Sequence, residues 1–452
     1  MSGVGAAGDP EVACELPPGV EATEVSVAAA EPSVEPLAAR AGDVLDVAAI
    51  RRDFPILDKE IGGRRLVFLD SAASAQKPRA VIEAMAAFAE TDYANIHRGV
   101  YALAERATGR YEAARAAVAR FIGAPSADEV VFTKNATEAL NLVAGSWGRA
   151  NLGPGDAVVL TQLEHHSNIV PWFQLQAEKG FEIRWIPVGP DGLLDLADLD
   201  RLLDGAKLVG LTAMSNVLGT LTPVREIADA AHTAGALVCV DACQYVPHLP
   251  ADVVAMGADF VAFSGHKMVG PTGIGVLWAR AELLEAMPPF LGGGGMILTV
   301  DLEGFTPDAP PARFEAGTPP IIEAIGLHAA VDYLDGLGME AVRAHEVSLT
   351  AYALRALTER VGDRLTIHGP SEPAQRGGVL SLAIDEVHPH DLAQVMDEHA
   401  VCVRPGHHCA KPLMKVLGVG ATARASFYVY NDTDDVDALA EALAAAADFF
   451  AP

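Results

Sequence analysis

Two side chains in the stretch 236–270, the carboxylate of Asp241 and the amine of Lys267, each sit just past a short apolar run. The runs 236–240 and 259–263 are rich in Val, Ala and Phe, are bounded by Gly and polar residues, and are too short for helices. They read as buried strands. Their C-terminal ends then share one edge, where open α/β sheets bind ligands. A carboxylate there can hold a protonated pyridine nitrogen, and a lysine can form a Schiff base with an aldehyde. Pyridoxal phosphate makes both demands of its protein. Ser264 and His266 flank the lysine and could bond the phosphate, while Gly265 lets backbone approach closely. An isolated pair of this kind has a bland alternative, a turn carboxylate and a solvated lysine; the neighbouring motifs weigh against it.

The second informative stretch is Arg404-Pro405-Gly406-His407-His408-Cys409-Ala410. Its cysteine lies on a Gly-containing loop beside two imidazoles and an arginine, surroundings that favour a thiolate nucleophile. A small buried cysteine and a His/Cys metal site compete with that reading. The metal reading is poor, because adjacent side chains rarely converge on one tetrahedral ion and no second Cys/His pair has zinc spacing. His165-His166 is equally two-sided: one packed and one exposed ring, or an imidazole that stacks on a pyridine face and moves protons. Gln244 could bond a ring hydroxyl, and Arg424 suits the bidentate grip of a carboxylate, with a structural ion pair as its alternative. Thr137 at a helix start is either a phosphate ligand or a simple cap. Cys239 and Cys243 read as core fillers.

Elements that would position these groups follow from periodicity. Residues 47–54 form a short amphipathic helix before Pro55, and 66–70 a strand followed by a helix opening at Pro78. A helix covers 104–121. Strands at 129–133, 157–161 and 206–213 lead into polar loops holding Thr137, His165 and Asn216. Strand and helix alternate to about residue 280, which predicts an α/β fold around a mainly parallel sheet. The Gly- and Pro-rich tract 290–320 cannot be a core element and reads as a surface excursion. Beyond it, helices to 337 and 361, strands near 379–384 and 401–403, and a last helix over 434–450 make a second, α+β region. Residues 1–44 are a low-complexity acidic tract without period or aromatic residue, expected to be disordered, and Cys14 there reads as incidental.

The chain has 452 residues, half of them hydrophobic, and a formal charge of −28. A polyanion-binding role is excluded as a general partner choice, since nucleic acid needs a basic face. No apolar run is long enough for a membrane span. Five scattered cysteines do not make a disulfide framework; a soluble protein of a reducing cytoplasm is expected.

Together the segments Leu69-Asp70-Ser71-Ala72-Ala73, 164–172, Ser264-Gly265-His266-Lys267, 314–319 and 404–410 resemble those of SufS-type (class II) cysteine desulfurases and selenocysteine lyases, in the class V aminotransferase group of fold-type I pyridoxal phosphate enzymes. The likeness runs from about Val47 to the C-terminus. It implies a large cofactor-binding domain over 66–320 with a seven-stranded, mainly parallel sheet flanked by helices, a small C-terminal α+β domain over 321–452, and an N-terminal segment, 45–65, packed on the small domain. It implies that Lys267 carries the cofactor, Asp241 pairs with its ring nitrogen, Gln244 meets the ring oxygen and His165 stacks on the ring. Thr137, Ser264 and His266 would hold the phosphate, joined by Thr318 from the other subunit of a homodimer. Asn216 would touch cofactor and substrate, and Arg424 would clamp the substrate carboxylate. Cys409 would take sulfur from L-cysteine as a persulfide, releasing L-alanine, with no metal in the isolated enzyme. Ala136 departs from relatives that carry a second Thr, which would remove one phosphate bond. Selenocysteine lyase activity uses the same parts; a transaminase would have no use for Cys409; a non-catalytic sulfur- or zinc-binding protein would lack the cofactor. Val387-His388-Pro389-His390-Asp391 resembles enzymes of Gram-positive bacteria that hand sulfur to a SufU-type zinc protein and on to the Suf assembly proteins for iron–sulfur clusters, with His390 a candidate zinc ligand in that complex. A helix start capped by Asp391 is the alternative.

Overall fold

Short, wholly apolar segments build the central sheet. In the structure, a computed structural model describing residues 44–450, seven strands pair in the order Val130–Thr133, Gly275–Ala279, Phe260–Ser264, Leu237–Asp241, Ala206–Thr212, Ala157–Thr161, Glu182–Ile186. Gly275–Ala279 runs antiparallel to both its neighbours and the other six strands run one way. Both faces of such a sheet must be covered. Successive side chains enter opposite cores, Val238 and Val240 on one face and Cys239 on the other. The first core includes the helices Arg79–Thr91, Ala102–Phe121 and Ile321–Leu337, and the second includes Ala136–Val143 and Val170–Lys179. The tract 1–44 and Cys14 lie, Val44 apart, outside the described residues.

A four-stranded antiparallel sheet follows, in the order Leu365–His368, Val379–Ile384, Thr422–Ser426, Arg404–Gly406. Met339–Val361, Pro389–Glu398 and Thr433–Phe449 share its apolar core. The early chain is tied to this layer. Arg51 and Arg65 both donate to the buried carboxylate of Asp435, at 3.0 and 2.7 Å, and Asp435 also completes a capping box on the last helix.

Three local expectations need correction. The strand expected over 66–70 reduces to Val67–Phe68, paired in parallel with Val401–Cys402, because Leu69 and Asp70 turn away to meet Ser426. The tract 290–320 is not purely a surface excursion. Its hairpin Ile297–Val300 with Phe305–Pro307 is largely exposed, yet Met296 and Phe314 are buried. Glu315 accepts bonds from Arg115 at 2.6 and 2.9 Å, from Tyr111 at 3.0 Å and from the Phe132 amide at 2.7 Å. Finally, the helix Pro389–Glu398 is capped by the His388 ring, which accepts from the His390 amide, and not by Asp391 in its first turn.

Candidate active site

The C-terminal ends of the parallel strands open onto a cleft of about 600 Å³, closed from the other side by the loop 404–409. Asp241 is the last residue of its strand and only 3% exposed; its Oδ1 accepts the Cys243 amide at 3.0 Å. Lys267 ends the single helical turn that follows Phe260–Ser264. Both line the cleft, together with Gln244, His165, Asn216 and Arg424. The strand ends thus carry a buried carboxyl group and a half-buried amine to one space, as the apolar runs predict.

One end of the cleft is built for an anion. Asn135 caps the helix Ala136–Val143, whose start lines the cleft with Thr137, Ser264 and His266, and free N–H groups at a helix start attract negative charge. A Cβ on Gly275 would lie 2.5 Å from Asn135 Cα, so glycine is what lets the strand pass beneath this turn. The Ala136 amide donates to Ser264 Oγ at 2.9 Å, and Ala136 has no hydroxyl to add to the site. Gln244 Nε2 donates to the Ala72 carbonyl at 2.7 Å, leaving its second N–H for a ligand. A phosphate-sized anion site, a buried carboxylate and an amine in one cleft fit the phosphate, ring nitrogen and aldehyde of pyridoxal phosphate. Thr318 is not in this cleft; it lines separate hollows with Glu315 and Pro319.

The histidine doublet divides its labour. His165 lines the cleft, and its Nδ1 accepts the Ser167 amide at 3.1 Å, which leaves the ring proton on Nε2. His166 faces the other way: its amide donates to the Cys409 carbonyl at 2.7 Å and its Nε2 accepts the Lys411 amide at 3.0 Å. It tethers the cysteine loop, a role not legible in the doublet itself. Cys409 is the exposed one of the four free cysteines among the described residues. It and His408 have φ of 56° and 50°, the left-handed region that non-glycine residues avoid. His407 Nδ1 accepts the Cys409 amide at 3.1 Å, and Asn216 Nδ2 donates to the His408 carbonyl at 2.8 Å, so both hold that conformation. Burial and the Asp241 charge push the Cys243 thiol up to about 12, and Cys239 is pushed higher still; both stay protonated thiols. Cys239 is the core filler expected, whereas Cys243 also touches the cleft.

Nothing in the sequence pattern gives a role to Asp70 or Glu164. Asp70 receives Arg404 at 2.8 Å and Arg424 at 3.3 Å. Glu164, buried beneath His165, accepts from Thr161, Asn168 and the Thr212 amide. His390 is exposed, stacked on His388 at 5.1 Å, and reaches the rim of the cleft. Among the described residues, no three His, Cys, Asp or Glu side chains are grouped to hold a metal ion, and no helix is long and apolar enough to cross a membrane.

Comparison with known proteins places this geometry. The family model "Aminotransferase class-V" matches residues 67–439. A probable cysteine desulfurase of Streptomyces coelicolor is 51% identical over 413 residues, covering 90% of this chain and 98% of the relative. The cysteine desulfurase of Haloferax volcanii is 47% identical over 421 residues, with 90% and 98% covered. Among solved structures, the apo cysteine desulfurase of Thermococcus onnurineus superposes with a TM-score of 0.85 at 40% identity, covering 89% of this chain and 98% of that one. The cysteine desulfurase CsdA of Escherichia coli gives 0.82 at 38%, with 90% and 100% covered.

The electrostatics of the site predict how stability follows pH. Burial, with the Lys267 charge, lowers the His165 imidazole to about 4; burial lowers His266 likewise to about 4, and burial with Arg424 lowers His408 to about 3. Each ring is neutral when folded, so its contribution is present above 6.5 and lost as pH falls toward those values. Burial raises Glu164 to about 8, so its contribution is present below its usual 4.5 and lost as pH rises through 8. The cofactor-free protein should therefore be most stable near pH 6.5. Each tenfold change in a group's proton affinity on folding is worth about 1.4 kcal/mol, and less for the better solvated His266, so the net loss at pH 5 is roughly 3 kcal/mol. Urea midpoints at pH 5, 6.5 and 8 check this; a midpoint that rises steadily to pH 8 would refute it.

Proposed function

We infer the activity from the family: the chain belongs to the class-V aminotransferases and, within them, to the cysteine desulfurases. Its cleft converts L-cysteine to L-alanine while Cys409 takes the sulfur. The observation that carries this is an exposed Cys409 held in a left-handed turn over a cleft that already contains Lys267, Asp241 and Arg424. Pyridoxal phosphate, when bound, supplies an aldehyde for the substrate amine and a protonated ring that accepts electrons from Cα. Lys267 holds it and then takes the Cα proton. Asp241, buried at its strand end, pairs with the ring nitrogen and keeps it protonated. The helix start at Ala136, with Thr137, Ser264 and His266, holds the phosphate, and Gln244 and Asn216 orient the ring face. Arg424 grips the substrate carboxylate. The Cys409 thiolate attacks the substrate sulfur; an S–S bond forms as the C–S bond breaks, and its electron pair stays with the carbon that becomes the alanine methyl. His165, lining the cleft with Lys267, is placed to carry a proton to that carbon once it has taken one up. Protons and electrons balance without an outside oxidant: thiol plus cysteine gives persulfide plus alanine.

Two variants separate the halves of this reaction. Lys267→Ala should lose covalent cofactor attachment, read by borohydride fixation and peptide mapping, and more than about 1,000-fold of alanine release. Cys409→Ala should keep the cofactor absorbance and its change on adding L-cysteine, yet form no persulfide. Cofactor fixed to another lysine in Lys267→Ala would refute the assignment.

A homodimer of the large-domain type, with Thr318 completing the phosphate site of the neighbouring subunit, fits Thr318's position outside its own cleft and the exposed apolar side chains of Leu298, Val300, Leu302 and Phe305 on the hairpin. Free thiols at all four described cysteines fit a reducing, cytoplasmic setting. The sulfur would pass to a SufU-type zinc acceptor and the Suf proteins that assemble iron–sulfur clusters. Supporting this, His390 stands exposed on the rim of the cleft that holds Cys409, where a neutral imidazole can replace a thiolate on a partner's zinc and free that thiol. His390→Ala should lose stimulation by the acceptor and keep basal turnover with a chemical reductant. Unchanged stimulation would rule the ligand role out.

A further inference from the structure

The two arginines beside the cleft are held by one carboxylate. Arg404 and Arg424 are direct partners across an antiparallel strand pair, where like charges repel. Asp70 is brought between them by its bridge to Ser426. It accepts Arg404 Nε at 3.1 Å and Nη2 at 2.8 Å in a fork, and Arg424 Nη2 at the longer 3.3 Å. Forked pairs fix geometry as well as charge. Arg424 donates Nη1 to the Asn216 carbonyl at 2.9 Å, and its buried Nε has no partner. Two guanidinium charges against one carboxylate leave one positive charge beside the cleft that Arg424 lines.

These contacts close a ring. From Arg424 it runs to Asp70 and Arg404, along the chain to the His408 carbonyl, to Asn216, and back to Arg424. Cys409 is the next residue after His408. We propose that Asp70 is a positioning residue for the reaction: it holds Arg404 off the substrate, fixes the plane of Arg424 for its grip on the substrate carboxylate, and so sets that clamp and the foot of the Cys409 loop through one acceptor. The sequence motif at Leu69-Asp70-Ser71 thereby acquires a function that its position before a loop did not indicate. The inference rests on the desulfurase reading of the cleft.

A double-mutant cycle tests it. In Asp70→Asn Arg424 loses the acceptor that fixes its plane and Arg404 is released toward the clamp, so KM for L-cysteine should rise about tenfold, more than kcat falls. In Arg404→Ala the unbalanced Asp70 competes with substrate for Arg424, and KM should rise again. Because Arg404 acts on Arg424 through Asp70, the double variant should stay within about threefold of the Asp70→Asn KM instead of multiplying the two effects. In the cofactor-free protein, Asp70→Asn should also speed alkylation of Cys409 by iodoacetamide at least about threefold, because the foot of its loop is released. If Asp70→Asn does not fold, Asp70→Glu keeps the charge but displaces the fork, and the same rise in KM with normal cofactor absorbance is expected. A KM within twofold of the parent in the folded single variant, multiplicative effects in the double, or unchanged alkylation would overturn the proposal. An unaltered protein that makes no alanine from cysteine would instead refute the desulfurase reading itself.

Discussion

Asp241 places a carboxylate where almost no water reaches, 3% exposed at the end of a strand. An ion in such a place is costly unless it is bonded and faces opposite charge. The Cys243 amide supplies one bond, and the amine of Lys267 shares the cleft. A protonated ring nitrogen beside it would complete the neutralisation, while the anion-binding helix start lies at another end of the same cleft. Much of the large sheet can be understood as a means of meeting this requirement. Six strands running one way bring Thr133, Thr161, Thr212, Asp241 and Ser264 to a common edge, and two apolar layers exclude water from the strands beneath.

The smaller sheet answers a different demand. In the proposed role of nucleophile, the Cys409 thiol has to be exposed to receive a sulfur, yet placed above the cleft. Cys409 meets it with a left-handed backbone that costs on the order of 1–3 kcal/mol per strained residue. That cost is offset by bonds from three separate parts of the chain, at His166, His407 and Asn216. The arginines at 404 and 424 stand at the base of the same strand pair, so the Cys409 loop and Arg424 share one support.

Much of the site is legible without the fold. Asp241 and Lys267 stand out because buried parallel strands are short continuous apolar runs, and their ends are marked by the first polar residues. Thr137, His165 and Asn216 emerge by the same rule, each in the polar loop after a strand. What stays hidden depends on pairs far apart in the chain. Asp70 meets Arg404 across 334 positions, and Glu315 meets Arg115 across 200; neither partner's neighbours betray the contact. The tract 290–320 reads as surface from its Gly and Pro content, but Phe314 and Glu315 are pinned by tertiary partners that composition does not record. At Pro389 the rule that Asp caps helices selects Asp391, while the proline, which suits the first turn, moves the cap back to His388.

The central claim is that sulfur leaves L-cysteine for Cys409. It is tested most directly by incubating the protein, loaded with pyridoxal phosphate, with L-cysteine in the absence of reductant, then mapping every cysteine peptide by mass while counting alanine. Cys409 should gain one sulfur atom for each alanine released in the first turnover. Extra sulfur on Cys402 or Cys243, or a full equivalent of alanine with Cys409 unmodified, would contradict it.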